Sequence, residues 1–286
     1  MSGATVERHD SPLASWETAH RPAPAALAPH VLGYAGYEEF APGGFRRLEP
    51  SNDEVHVIFS FGPECRVPER VRSFVAATDT RHAVVEHDGH QHGVELRLTP
   101  IGAHMLLGMP MDEVTCRVVE LDAVFGREAG ELIERMHDAG TATQPTSSAG
   151  TGWDGCFDVM DGWLLHRLAD ARPPDPAVEH SWKRLVRSHG SVPVAELVRE
   201  TGWSRRHLAA RFRQQVGLAP KPFARILRFR HAARELVRPD GRSLAEIALD
   251  CGYYDQAHLN RDFREFSGRS PRELMAARLP DGGFQD

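Results

Sequence analysis

The chain has 286 residues, enough for two domains with separate cores, and a net charge of −6 from 34 Lys and Arg against 40 Asp and Glu. Residues 1–19 are polar, and the longest apolar run, around Met105 to Met111, is far too short to cross a bilayer, so the composition points to a cytoplasmic chain without a membrane partner. Cys65, Cys116, Cys156 and Cys251 are widely spaced with no CxxC pair, which argues against a disulfide framework or a cysteine zinc site and favours buried, reduced thiols.

In chain order, residues 1–20 read as a loose tail, because Pro and Ala recur there and through residue 29. Strand signals follow at 31–40, 54–62, 71–78, 82–88 and 92–98, each rich in β-branched and aromatic residues and bounded by Gly, Pro or Asp. The segment "HDGHQH" reads as a hairpin tip with Asp88-Gly89 in the turn. Consecutive strands with no helices between them predict an antiparallel sheet or small barrel. His82, His87, His90 and His92 are dense enough to raise the question of a metal. No carboxylate or cysteine stands at ligand spacing beside them, so they read as polar residues of an exposed hairpin and no metal is assigned.

Helical spacing takes over at 100–108 and again at 121–140, where Val124, Phe125, Leu132, Ile133 and Met136 share one side. Residues 141–152 read as a flexible Thr, Ser and Gly-rich loop, and 153–170 as a helix through Phe157, Met160, Trp163, Leu164 and Leu168. These helices serve either as core against the sheet or as an apolar seam for a second copy of the chain, and one amphipathic stripe does not choose between them. The run Pro173-Pro174-Asp175-Pro176 ends this region and marks a boundary. The expected organisation is a tail at 1–20, a regulatory domain at 21–171 with strands in 31–98 and helices in 100–170, a linker at 172–176, a second domain at 177–280 and a tail at 281–286. The fold class is α+β, with a barrel-like antiparallel domain ahead of an all-α domain.

Charge divides at the same boundary. Residues 177–280 hold 20 Lys and Arg against 11 Asp and Glu, whereas residues 1–176 hold 14 against 27. A basic half and an acidic half are hidden in the overall balance, and the basic one suits phosphate.

The basic half contains a repeat. Ala195, Glu196, Leu197 and Gly202, then Ser204, His207, Leu208, Phe212, Gly217 and Pro220, return as Ala245, Glu246, Ile247 and Gly252, then Asp255, His258, Leu259, Phe263, Gly268 and Pro271. The offset grows from 50 to 51 after the glycine, so the second copy has one extra residue in its turn. Each copy has the order of a helix-turn-helix: a short helix, a reversing glycine, a capping Ser or Asp, and a second amphipathic helix. Leu208, Phe212 and Val216 share the inner face of one second helix, and Leu259, Phe263 and Phe266 that of the other. The outer faces carry Arg205, Arg206, Ala209, Ala210 and Arg213, and Gln256, Ala257, Asn260, Arg261 and Arg264. With Ser204 and His258 these are the candidate DNA-binding residues, since Arg and Gln can read base edges and Ala permits close approach. Pro222 to Val237 is expected to be a rigid connecting helix with Phe223, Ile226, Leu227, Ala233 and Leu236 inward.

The stretches "SRRHLAARFRQQVGLAPKPFARILRFRHAARELV" and "LAEIALDCGYYDQAHLNRDFREFSGRSPREL" resemble the C-terminal DNA-binding domain of AraC/XylS transcription regulators, over roughly residues 177–279. The resemblance implies seven helices in two helix-turn-helix units, whose recognition helices enter successive major grooves. It assigns base-facing positions to Arg206, Ala209 and Ala210, and to Gln256, Ala257 and Arg261. It also implies a barrel-like sensory domain ahead of them. Tyr253 stands where that family usually has Phe, and Leu259 where it has an aromatic. Arg228 falls at a usually basic family position, and its expected partners lie within the domain.

No catalytic constellation is present: there is no GxSxG, no phosphate-cradling glycine loop and no HExxH. No cofactor is expected and the chain is read as a regulator, not an enzyme. The implied partners are promoter or operator DNA, a small effector, RNA polymerase and a second copy of the chain, with a nucleoid-associated location when bound. The alternative is a small-molecule-binding protein or enzyme domain with a DNA-binding module appended. A general DNA-compacting protein would suit the basic half but not the overall acidity.

Overall fold

In the computed structural model the described residues are 3–10, 14–141, 152–238, 241–279 and 283–286. The loop expected at 141–152 therefore falls almost wholly outside them. Strands β1 (Thr5–Asp10), β2 (Ser15–Arg21), β3 (Val31–Glu49), β4 (Val55–Ser60), β5 (Cys65–Val67), β6 (Glu69–Val71), β7 (Phe74–Ala76), β8 (Ala83–Leu98), β9 (Val118–Glu120) and β10 (Phe284–Gln285) form one antiparallel, nearly closed barrel-like sheet. Its main order is β1-β2-β3-β8-β4-β7-β9, so the long β8 lies between β3 and β4.

Side chains alternate across such a sheet, and here the alternation separates two environments. Val94, Leu96 and Leu98 of β8, Val55, Val57 and Phe59 of β4, and Tyr34 of β3 are buried against helices. Those helices are α1 (Pro100–Leu107), α2 (Leu121–Phe125), α3 (Arg127–Thr141) and α4 (Gly152–Ala169). Leu132, Met136, Phe157, Met160 and Leu164 meet the sheet, so of the two alternatives these residues take the core one. An ionic cluster, buried at Arg21 and Asp161, fixes α4 to the strands. Arg21, 6% exposed, donates to Asp158 at 2.7 Å and to Asp161 at 2.6 Å, and Tyr34 donates to Asp161 at 2.6 Å. Burial lifts the Asp161 carboxyl above its ordinary range, against the pull of Tyr34 and Arg21.

Four expectations are corrected. Residues 1–20 are not a loose tail, since β1 pairs with β2 from Thr5↔His20 to Asp10↔Ser15, and β2 pairs with β3. "HDGHQH" is not a hairpin tip: it lies inside β8, where Gly89, at φ 84°, sits beside a register shift opposite Ala41–Phe45 of β3. The helix expected at 121–140 is broken at Gly126, φ 57°. The C-terminal tail is not free either, because β10 pairs with β3 through Phe284↔Leu48 and Gln285↔Arg47.

Past the proline run the chain is helical: α5 (Pro176–Arg187), α6 (Val194–Thr201), α7 (Arg205–Val216), α8 (Pro220–Leu236), α9 (Leu244–Asp250), α10 (Gln256–Ser267) and α11 (Pro271–Ala276). Their core gathers Leu185, Leu197, Phe212, Phe223, Phe229, Phe263 and Phe266, and Leu48 and Ile101 from the sheet side join it. Gly190 has φ 76°, and a β-carbon there would overlap the carbonyl of Ala224 on α8. Gly190→Ala should therefore lower unfolding free energy by about 3 kcal/mol, combining backbone strain with a backbone clash, as read by urea denaturation.

Candidate nucleic-acid interface

The two halves of the repeat fold alike because their local chemistry is alike. Gly202 at φ 69° and Gly252 at φ 77° take left-handed turns that favour residues without a β-carbon. Ser204 accepts the His207 amide at 3.2 Å and starts α7, and Asp255 accepts the His258 amide at 2.7 Å and starts α10. Behind the caps, Leu208, Phe212 and Val216 are buried, as are Leu259, Phe263 and Phe266.

The extra residue of the second turn can now be placed. Trp203 packs on His207 at 4.4 Å between ring centroids, and Tyr253 packs on His258 at 5.1 Å. These pairs are equivalent, so Tyr254 is the insertion, and it stands 87% exposed beside the start of α10. Its only mark in the sequence is the change of offset, which locates it to within two residues.

Arg205, Arg206, Ala210 and Arg213 are exposed on α7, and Gln256, Ala257, Arg261 and Arg264 on α10; Ala209 is half-buried. Two candidates are less free. His258 is half-buried against Tyr253, and Asn260 is half-buried with its Oδ1 enclosed and without a hydrogen-bond partner. Ser204 spends its hydroxyl on the cap.

The arginines divide by role. Arg225 on α8 holds α10 through Asp262 at 2.7 Å and Glu265 at 2.7 Å, with its guanidinium over Phe266. Arg184 binds Glu200 at 2.9 Å, and Arg211 binds Asp175 of the proline run at 2.7 Å, which holds that carboxyl below its usual range. Arg228 lies over the Tyr253 ring at 5.8 Å, inside the domain as expected. Tyr253 fills the family's Phe position as a buried side chain; burial pushes its phenol well up, and its hydroxyl has no hydrogen-bond partner. Among the described residues Arg205, Arg206, Arg213, Arg261 and Arg264 make no salt bridge, and neither do Arg199 and Lys221 elsewhere on the domain. What sets the five apart is their position on two equivalent helix faces.

Between these faces runs α8, 17 residues and about 25 Å long at 1.5 Å per residue. It begins two residues earlier than expected; Phe223, Ile226 and Leu227 are buried, Ala233 and Leu236 are partly buried, and Phe229 and Ala232 add to its inner side.

The helix-turn-helix domain family matches residues 197–277, the span just described. Residues 197–277 form an AraC-type helix-turn-helix domain. The "Probable thc operon regulatory protein" of Rhodococcus erythropolis is 27% identical over 169 residues, 54% of this chain and 50% of that protein. Uncharacterized HTH-type transcriptional regulators of Staphylococcus aureus are 29% identical over 90 residues, 32% of this chain and 12% of theirs. The chain thus spans between an eighth and a half of the length of these curated relatives. Among solved structures, the DNA-binding domain of AdpA in complex with a target DNA is 32% identical, with 36% of this chain and 92% of that one covered and a TM-score of 0.32. ToxT from Vibrio cholerae is 8% identical, with coverages of 92% and 98% and a TM-score of 0.46.

One neighbour of the AraC-type domain was not foreseen. Residues Met111–Glu113 form a 3₁₀ turn that packs on α7, and Asp112 and Glu113 line one hollow with Ala210, Arg211 and Gln214. The contact is close enough that a β-carbon at Gly217 would overlap the Thr115 hydroxyl.

Asp255→Ala should cost about 1 kcal/mol through the lost cap, and Ser204→Ala a similar amount, in thermal unfolding of the full chain. Asp255→Asn should recover most of its loss.

Proposed function

We propose that the protein is a sequence-specific DNA-binding transcription regulator. α7 and α10 read successive major grooves, with Arg206, Ala209, Ala210, Gln256, Ala257 and Arg261 toward the bases. Ser204, Arg205, Arg213, His258, Asn260 and Arg264 supply phosphate and edge contacts. One observation carries this reading: two N-capped helices present, on equivalent faces, arginines that make no salt bridge among the described residues, and the 17-residue helix α8 runs between them. That length suits readers that must stay in phase with the roughly 34 Å repeat of the groove.

On this reading residues 21–171 form the regulatory domain, 172–176 the linker and 177–280 the reader, with β1 and β2 added to the regulatory side. The partners required are operator DNA, a small effector and, for activation, RNA polymerase, and the location is cytoplasmic, at the nucleoid. Association of two copies of the chain is part of the same proposal. The effector is bound and released unchanged, so no enzymatic step is assigned. A catalytic N-terminal domain with an appended DNA module is the second reading, and turnover of a bound metabolite would favour it.

The regulatory side touches the reader where it would matter. Asp112 and Glu113 place negative charge beside Ala210, on the flank of α7 that faces DNA. A ligand that moved this turn would change DNA affinity, provided it binds the two arrangements with different free energy.

Nuclease protection of genomic fragments by the full chain, with and without metabolite extract, should show a protected site of about two helical turns; uniform non-protection would overturn the reading. Arg206→Ala and Arg261→Ala should each weaken that site by about 1–3 kcal/mol with little change on random DNA. Arg205→Ala, Arg213→Ala and Arg264→Ala should instead weaken both and flatten the salt dependence, by about one unit of slope per contact.

A further inference from the structure

Tyr254 contributes little to the fold that carries it. It is 87% exposed, and among the described residues it makes no hydrogen bond and no ring contact. In the first helix-turn-helix unit a single aromatic, Trp203, stands between the turning glycine and the cap, and it packs on His207. In the second unit Tyr253 takes that packing role against His258, and Tyr254 is added between it and the cap. A phenol left in water with its hydroxyl free belongs to a surface that meets a partner, because its ring offers contact area and its O–H a hydrogen bond.

Its position says which partner. Tyr254, Asp255, Gln256 and Ala257 make an unbroken exposed run at the start of α10, the end of a recognition helix that contacts the bases. The turn behind them is close to α8 and to the entry of α6: a β-carbon at Gly252 would lie 3.9 Å from Arg228 Cδ and 4.0 Å from Ser191 Cβ. Tyr254 therefore stands near the junction of the two units. With α7 and α10 in successive major grooves, the DNA opposite that junction is the backbone that separates the grooves.

The two caps differ in charge, and that difference gives the phenol a task. The first amides of a helix have no partner within it, and with the helix dipole they favour an anion at that end. At α7 the cap is the neutral Ser204, followed by the exposed cations Arg205 and Arg206. At α10 the cap is the exposed carboxylate of Asp255, which accepts the His258 amide at 2.7 Å and already puts a negative charge at the terminus. The next two residues, Gln256 and Ala257, bring no charge to offset it. A phosphate is repelled from the start of α10, so a backbone contact there falls to a neutral donor that reaches past the carboxylate. The Tyr254 phenol is the neighbour of Asp255 in the chain and has that chemistry: its O–H can donate to a phosphate oxygen while its ring lies against the sugar.

We propose that Tyr254 contacts the DNA backbone, its hydroxyl donating to one phosphate between the two grooves and so positioning α10 in the second of them. The inference rests on the regulator reading above and adds to it a contact without sequence preference.

The test uses the full chain on the duplex it protects and on a random duplex of the same length. Tyr254→Phe keeps the ring and removes the donor, so it should weaken both duplexes about tenfold, the usual size for a hydrogen bond to a charged group. The melting temperature of the free protein and the salt slope should stay as in the parent, since the side chain packs on nothing and no charge is lost. Duplexes carrying a single neutral methylphosphonate, moved one phosphate at a time across the protected site, locate the contact: one position between the grooves should cost the parent affinity and cost Tyr254→Phe none. In an Asp255→Asn background, where the helix terminus is open to an anion, Tyr254→Phe should cost less. The proposal is overturned if Tyr254→Phe binds both duplexes as the parent does, if it loses affinity for the protected site alone, if no single phosphate distinguishes the two proteins, or if the loss is as large with Asn at 255. A parent that protects no duplex removes the regulator reading and this contact together, whereas a protected site indifferent to residue 254 removes this contact alone.

Discussion

The alternation of side chains along β8 is the constraint on which both halves of the sheet domain depend. Val94, Leu96 and Leu98 point one way, into the helices, and Gln91, Glu95 and Arg97 the other, into a cavity on the opposite face of the sheet. A slip of one residue against β3 or β4 would turn carboxylates into the core and valines into the cavity, so the apolar side alone fixes the register of the polar side. The arrangement of Trp16 opposite Glu39, and of His56 within reach of Glu95, follows from burial elsewhere and needs no separate force to assemble it.

Ion pairs and backbone bonds join the sheet to the helical domain beside the apolar contacts of Leu48 and Ile101. Arg230 of α8 binds both Asp53 and Glu54, the latter at 2.7 Å, in the turn that leads into β4. Burial works against Glu54, yet Arg230 and His56 keep its carboxyl below the usual range. Around this clamp lie the Ser51–Phe266 backbone bond, the ring of His82 against Gly268, and β10 beside β3. Polar contacts of this kind release at less cost than a packed core.

The helical domain was legible in the sequence because its signals are local. A capping Ser or Asp, a glycine that must turn left-handed and apolar residues at helical spacing act within a few residues of one another, and they were repeated. The sheet was legible in type but not in extent. Thr5–Asp10 and Ser15–Arg21 are too polar to read as strands alone, and they are extended because β3 offers a partner to β2 and β2 to β1. Asp88-Gly89 has the residues of a turn, but the long pairing of β3 with β8 overrides that preference and leaves an irregularity instead. The cavity was out of reach for the same reason, since Trp16, Glu39 and His87 come from three strands and meet only through register. So did the 3₁₀ turn beside α7, whose Asp112 and Glu113 carry no sequence mark of their neighbour.

Tyr254 gives the domain a polarity. The two units already differ in the residues of their outer faces, and their turns differ too: one ends in a compact Gly-Trp-Ser corner and the other pushes a phenol outward. A molecule with unlike ends has a front and a back. Bound upstream of a gene it would face the start of transcription in one sense only, and an inverted copy of its target would present the wrong end.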